Sequence, residues 1–265
     1  MGRGKAPPVI LAFGGFDPTG GAGVLMDARA VHAAGGYAAA VPSCLAVQTT
    51  ASFDRIVPVA REALDRSLAC AAEAFRVRAV KVGMVGTRAA AEAILGFVAA
   101  NPALPVVVDP VLRSSAGVPL MARAALPAYR RLLRHAAVVT PNLPEASKIL
   151  DRTLETFRDA VAGARDIAAA TGAAVVLKGG HFPWPGKRGT DIVFEAGRVT
   201  LLPGAPFPRG RDPHGTGCAL AAAIAARIAL GDPLLEAVRR AKDLVARMAA
   251  SGFPSAEGRW TLYAP

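Results

Sequence analysis

The segment His214-Gly215-Thr216-Gly217-Cys218 runs directly into an apolar stretch that begins at Ala219. Glycines let a backbone turn and come close to a ligand, and the amides at a helix start point outward toward an anion. That combination suits a phosphoryl group, whose equatorial oxygens gather negative charge during transfer. Cys218 falls in the first turn of the expected helix, where a positive field favours a thiolate. It could act as a general base that takes the proton from an alcohol. A helix-start turn holding a buried thiol accounts for the same spacing equally well.

Other polar groups extend the pattern. Gly20-Gly21-Ala22-Gly23 lacks the Lys-Ser/Thr of a Walker loop and fits the dinucleotide fingerprint poorly, so alone it is a weak signal. Asp109 and Glu145 each follow a Val-rich run and could bind or orient a hydrated magnesium ion, which takes few carboxylates. The plainer reading of each is a turn or helix-start acid. Lys178 could neutralise nucleotide phosphate as a point charge, or simply be a solvated lysine at a strand end.

These residues need a scaffold, and the pattern around them supplies one. Val9 to Phe13, Tyr37 to Val41, Ala79 to Val82, Val106 to Val108, Ala137 to Val139 and Ala174 to Leu177 read as buried strands. Between them lie segments with helical spacing, such as Val24 to Ala34, Ala89 to Ala99 and Thr156 to Ala170. Asp191 to Phe194 and Arg198 to Leu202, joined by Glu195-Ala196-Gly197, read as an antiparallel hairpin near the sheet edge. Two helices, about Thr216 to Leu230 and Pro233 to Ser251, follow it. The alternation predicts an α/β fold with a largely parallel sheet and helices on both faces. Ligands in such sheets gather beyond the carboxyl ends of the strands, which is where the glycines and charges fall. No repeat or break in composition divides the chain, so a single domain over residues 9–265 is expected, after a basic tail at Met1–Pro8.

Composition removes other classes. Apolar residues make up 52% of the 265, which excludes general disorder. No apolar run reaches the roughly 18 residues of a membrane span; Ala219 to Leu230 is short and interrupted by Arg227. Cys44, Cys70 and Cys218 form neither a disulfide framework nor a metal-type pair, which suits a reducing cytoplasm. Cys44 and Cys70 read as small apolar fillers. The net charge of +11 comes mostly from scattered arginines, among them Arg123, Arg130, Arg131, Arg134, Arg239 and Arg240, with no basic block. Aromatic residues are too few for a stacking platform, so nucleic acid is not expected as a partner.

Taken in order, five motifs resemble those of the hydroxymethylpyrimidine kinases of thiamin biosynthesis. They are Asp17-Pro18-Thr19-Gly20-Gly21-Ala22-Gly23, Asp109-Pro110-Val111, Thr140-Pro141-Asn142-Leu143-Pro144-Glu145, Lys178-Gly179-Gly180-His181 and His214 to Cys218. The resemblance runs from about Val9 to Ala250. It implies a ribokinase-like three-layer α/β/α fold and ATP with Mg2+ as cofactors. The implied substrate is 4-amino-5-hydroxymethyl-2-methylpyrimidine, phosphorylated once and then again to the diphosphate.

By the same resemblance, Gly215, Thr216, Gly217 and Cys218 form the anion hole, with Cys218 where ribokinase relatives carry a catalytic Asp. Asn142 and Glu145, with Asp109, are implied at the magnesium, and Lys178 and His214 at ATP. Asp27 and Gln48 are implied to hydrogen-bond the pyrimidine, beside Gly15 and within walls formed by Ala22, Met84 and Val111. A homodimer is implied by analogy. Gln48 suits an aminopyrimidine because its amide offers both a donor and an acceptor. The chain departs from the family pattern at Phe16, at Leu25-Met26 and at Pro213.

Two rival readings remain at this stage. A pyridoxal kinase of the same lineage can also carry the Gly-x-Gly-Cys loop, although Gln48 favours the pyrimidine. A non-catalytic binder could keep the fold without the chemistry, against which stand Lys178, Glu145 and Cys218. If the basic charge is compositional, binding to random-sequence duplex DNA should be weak and should vanish by moderate salt. A fluorescence anisotropy titration checks this, and sub-micromolar sequence-selective binding at physiological salt would contradict it.

Overall fold

The computed structural model describes residues 6–113, 117–204, 207 and 213–264, so the tail read at Met1–Pro8 falls mostly outside the described residues. The first half contains β1 (Val9–Phe16), α1 (Gly23–Ala33), β2 (Tyr37–Gln48), β3 (Phe53–Pro58), α2 (Arg61–Ala74), β4 (Val77–Val82), α3 (Arg88–Ala100) and β5 (Val106–Val108). A short 3-10 turn at Arg123–Ala125 leads into α4 (Leu126–Leu133), β6 (Val138–Val139), α5 (Leu143–Leu150), α6 (Phe157–Thr171) and β7 (Ala174–Leu177). The chain then forms β8 (Asp191–Glu195), β9 (Arg198–Leu202), α7 (Thr216–Ala229), α8 (Leu234–Ala250), β10 (Phe253–Pro254) and β11 (Trp260–Thr261).

Nine strands make one sheet in the order β3-β2-β1-β4-β5-β6-β7-β8-β9. From β2 to β7 every neighbouring pair is parallel. The outer pairings, β2 with β3, β7 with β8 and β8 with β9, are antiparallel. The expected edge hairpin is therefore present, and β9 is the last strand.

A strand covered on both faces must be apolar at every position, and β1 shows why. Its Ile10 packs with α1, α7 and α8 on one face, while Leu11 and Phe13 pack with α2, α3 and α4 on the other. Helix α7 is buried without interruption from Ala219 to Ala226, because it lies between the sheet and its neighbours α1 and α8. Alanines keep those separations short. Among the described residues, no helix is long and apolar enough to cross a membrane.

Three sequence expectations change. Strand β2 continues beyond Val41 to Gln48, because its outer half gains β3 as an antiparallel partner. The β3 segment escaped the apolar criterion because it is an edge strand with Asp54 and Arg55 exposed. Cys70 is not a core filler: α2 buries Leu64 and Leu68 one turn apart, and Cys70, two residues further on, faces solvent. Cys44 is buried as expected.

Candidate active site

The carboxyl ends of the parallel strands open onto one edge, and two glycine loops meet there. The φ of Gly215 is +85°, and a Cβ on it would lie 1.8 Å from the Gly21 carbonyl oxygen, so only glycine fits. Gly23, with φ +62°, is similarly pressed against the Gly15 carbonyl. These contacts set the start of α1 against the start of α7. The Gly23 amide points at the Cys218 sulfur across that junction. The first amides of α7 have no acceptor within the helix, so those of Thr216, Gly217 and Cys218 are available to an anion.

Beneath the junction lies a buried ion pair. Lys81 donates to both oxygens of Asp27 at 2.7 and 2.8 Å, and neither side chain is more than 1% exposed. Burial works against the ammonium, but Asp27 beside it, with Cys218 and Asp109 farther off, holds the Lys81 pKa above the usual lysine range. The pair also fixes Gly83, where a Cβ would fall 2.7 Å from Lys81 Nζ.

A second cluster lies across the sheet. Lys178, at the end of β7, donates to Asp109 at 2.6 Å and lies 3.6 Å from Glu145. Thr140 donates to the same Asp109 oxygen at 3.2 Å. Burial acts against the Lys178 ammonium, and the two carboxylates outweigh it and keep it charged. Burial likewise pushes Glu145 up to about 7, with Lys178 opposing and Asp109 adding to the rise. A Cβ on Gly217 would lie 3.1 Å from Lys178 Nζ and 3.7 Å from Asp109 Oδ2, so this cluster adjoins the α7 loop.

Asn142 and Glu145 form a capping box on α5. The Asn142 side-chain oxygen accepts from the Glu145 amide at 2.9 Å, and Glu145 accepts from the Asn142 amide at 2.7 Å. Among the described residues, no group of three or more His, Cys, Asp or Glu could hold a metal ion alone. A hydrated magnesium ion carried on substrate phosphates needs only one or two carboxylates, and Asp109 and Glu145 beside Lys178 fit that need.

The opposite end of the edge is apolar with a polar rim. Met84 clusters with Cys44, Ala46 and Leu120, and Val111 packs against them. A side chain on Gly15 would collide with Met84, its Cβ falling 2.2 Å from Cε. Asp17 is buried and accepts from the amides of Thr19 and Ala22, each at 2.9 Å. Its carboxyl faces His214, at 3.7 Å, and the side chain of Gln48. Burial alone would raise the Asp17 pKa, but contacts with His214, Gln48 and Thr19 hold it at about 2.

The expected residues thus fall along one edge, around a buried ion pair, a charged cluster and an apolar end, and three of them have partners within the protein. Asp27 does not present its carboxylate to the cleft, because Lys81 occupies both oxygens. Asn142 spends its side-chain oxygen on the helix cap, and His214 lies with Asp17 at the apolar end. Of the two readings left open for Cys218, the protonated thiol is favoured: burial drives it up to about 11, where Lys81 opposes the rise and Asp27 and Asp109 add to it. Sequence reasoning passed over Lys81 and left Asp17 without a role. A lysine inside an otherwise apolar buried strand was the available signal for Lys81.

A nine-stranded mixed sheet with this edge defines the ribokinase-like class of small-molecule kinases. The family model for phosphomethylpyrimidine kinase matches residues 17–262, and the chain belongs to that family. A hydroxymethylpyrimidine/phosphomethylpyrimidine kinase of Rhizobium meliloti is 36% identical over 236 residues, covering 88% of this chain and 87% of the relative. A thiamine biosynthesis multifunctional protein of Corynebacterium efficiens is 34% identical over 89% of this chain; the chain spans only 32% of that protein. Among solved structures, an ADP complex of Bacillus subtilis pyridoxal kinase superposes with a TM-score of 0.86 at 25% identity, covering 97% of each chain.

The chemistry of the thiol gives a direct prediction. With its pKa raised, Cys218 is protonated at pH 7, so alkylation by iodoacetamide should be slow there and accelerate about tenfold per pH unit up to pH 9. Peptide-level mass spectrometry in a Cys70→Ser background separates Cys218 from the buried Cys44. A rate that is already at its plateau at pH 7 would mean a thiolate in the resting site.

Proposed function

We propose that the chain transfers the γ-phosphoryl group of ATP to the hydroxymethyl oxygen of the aminopyrimidine, and then phosphorylates the monophosphate to the diphosphate. The observation that carries this reading is the position of Cys218, between two helix starts and beside a lysine-carboxylate cluster. In the first step the alcohol oxygen bonds to the γ-phosphorus as the bond to ADP breaks. The alcohol proton passes to the Cys218 thiolate, the minor form present once the thiol has released its own proton to solvent. The α7 amides and Lys178 stabilise the charge on the equatorial oxygens. Magnesium, held through Asp109 and Glu145, supplies further charge neutralisation when bound. ADP in the Bacillus subtilis pyridoxal kinase supports nucleotide use on this fold. A cytoplasmic setting and the homodimer belong to the same proposal.

The substrate end favours the pyrimidine over pyridoxal. Gln48 turns part of its amide toward Asp17, an acceptor, so its N–H side is oriented there and its carbonyl remains for an amino group. Met84 and Val111, with Ala22 at the start of α1, provide walls for a flat ring.

Two substitutions test the reading. Cys218→Ala should lower kcat by about 10² to 10⁴ while leaving ATP affinity mostly intact. Steady-state kinetics check it, and activity within about threefold of the parent excludes the base role. Gln48→Met keeps side-chain volume but leaves the amino edge of the pyrimidine unpaired, which costs about 1 to 3 kcal/mol. It should lower kcat/KM for the pyrimidine roughly tenfold or more and raise the pyridoxal-to-pyrimidine ratio. Both substrates measured on both proteins decide it, and an unchanged ratio removes Gln48 from ring recognition.

A further inference from the structure

We propose that Glu257, at the tip of the C-terminal hairpin, is a positioning residue for the substrate end of the site. It acts through the turn that follows Gln48, and this inference rests on the reading of Gln48 given above. Strands β10 and β11 pair antiparallel, Phe253 with Thr261 and Pro254 with Trp260, and the tip between them carries Glu257. One oxygen of the exposed Glu257 carboxylate accepts from the Thr49 hydroxyl at 2.8 Å. The other accepts from the Thr50 hydroxyl and, at 3.0 Å, from the Ala51 amide. Ser255 adds a hydroxyl contact to Thr50 at 2.8 Å. Three consecutive residues are thus gathered by one side chain that lies far from them in sequence.

The gathered turn begins directly after Gln48. It is closed internally by the Thr49 amide donating to the Ser52 carbonyl at 2.9 Å, and by Thr49 Oγ1 accepting from the Ala51 and Ser52 amides. The other end of the hairpin reaches the anion loop. The His214 amide donates to the Trp260 carbonyl at 3.3 Å, and His214 bridges to Thr261. Trp260 is anchored in turn by its indole N–H on the Ala249 carbonyl at 2.9 Å, at the end of α8.

These links close a ring: Gln48 to Asp17, Asp17 to His214, His214 to the hairpin, and Glu257 back to the turn beside Gln48. Glu257 is the one carboxylate in the hairpin tip that joins its two halves across space. A shorter residue there would remove the acceptor shared by two hydroxyls and an amide and release the end of β2. Such a residue contacts no reacting atom, so its loss should appear in binding of the pyrimidine and leave the chemical step alone.

The test compares the parent with Glu257→Ala, Glu257→Gln, Gln48→Met and the Glu257→Ala/Gln48→Met double variant. Glu257→Ala should raise KM for the pyrimidine about threefold to tenfold, with kcat and KM for ATP within about twofold. Glu257→Gln, whose amide oxygen still accepts, should recover part of the loss. The effect of Glu257→Ala should shrink in the Gln48→Met background, because both act on one recognition group. Hydrogen exchange at the Ala51 amide should be faster in Glu257→Ala than in the parent. An unchanged pyrimidine KM, an equal rise for ATP, or full additivity with Gln48→Met overturns the proposal. A parent that does not phosphorylate the pyrimidine refutes the functional reading alone. Exchange at Ala51 then decides whether Glu257 positions the turn, and no change there overturns the inference.

Discussion

An ammonium and a carboxylate sealed from water hold the site together where the sheet, α1 and α7 converge. Taking such ions out of water costs several kcal/mol each, and only close geometry and mutual attraction offset it. Lys81 and Asp27 meet that condition with two short contacts and almost no exposure. Their position matters more than their net stability. The pair sits under the facing starts of α1 and α7, so the distance between the two glycine loops depends on it. It also sets a positive charge near Cys218, offset by Asp27 and Asp109, in a water-poor corner where the thiol stays protonated. Asp109, through Lys178 and Thr140, extends the same arrangement toward the ends of β6 and β7.

Much of this edge was legible because the residues that matter follow strands, and strands buried on both faces are easy to see. Val106 to Val108 announces Asp109, Ala174 to Leu177 announces Lys178, and the apolar α7 announces the loop before it. What stayed hidden was pairing. Nothing in the types of Asp27 and Lys81 says that they meet, since one is on a helix and the other inside a strand that reads as core. The same holds for Asn142, whose spacing to Glu145 reads equally as a metal element and as the helix cap that it forms. Strand β3 was invisible for a different reason: its partner is on one side only, so polar residues are free to alternate along it. Cys218 shows the limit of local rules. Helix-start position favours a thiolate and a buried thiol fits the same spacing, and only the surroundings brought in by the fold favour the second.

Under the proposed function, the two ends of the edge divide recognition from transfer. On one side the glycine loops and charged cluster are built mainly from backbone amides and a lysine, which read charge and little else. On the other, Met84 and Val111 form an apolar wall and Gln48 a polar rim, which under the proposed function would read ring shape and a hydrogen-bonding edge. Members of one fold can therefore share nucleotide chemistry while differing in the alcohol that they accept. The superposition on a pyridoxal kinase alongside sequence relatives named for the pyrimidine fits that division.

The order of the strands carries a consequence for synthesis on the ribosome. After β1 takes its place beside β2, the strands β4, β5, β6, β7, β8 and β9 are added outward in the order in which they emerge. The sheet can accrete vectorially, without threading a late strand between earlier ones. The helix that closes one face against β1, β4 and β5 is α7, and it emerges after all nine strands of that sheet. A nascent chain thus carries one half-clothed apolar face until its last segments arrive. The anion loop, lying on that closing helix, is completed only when the core is sealed.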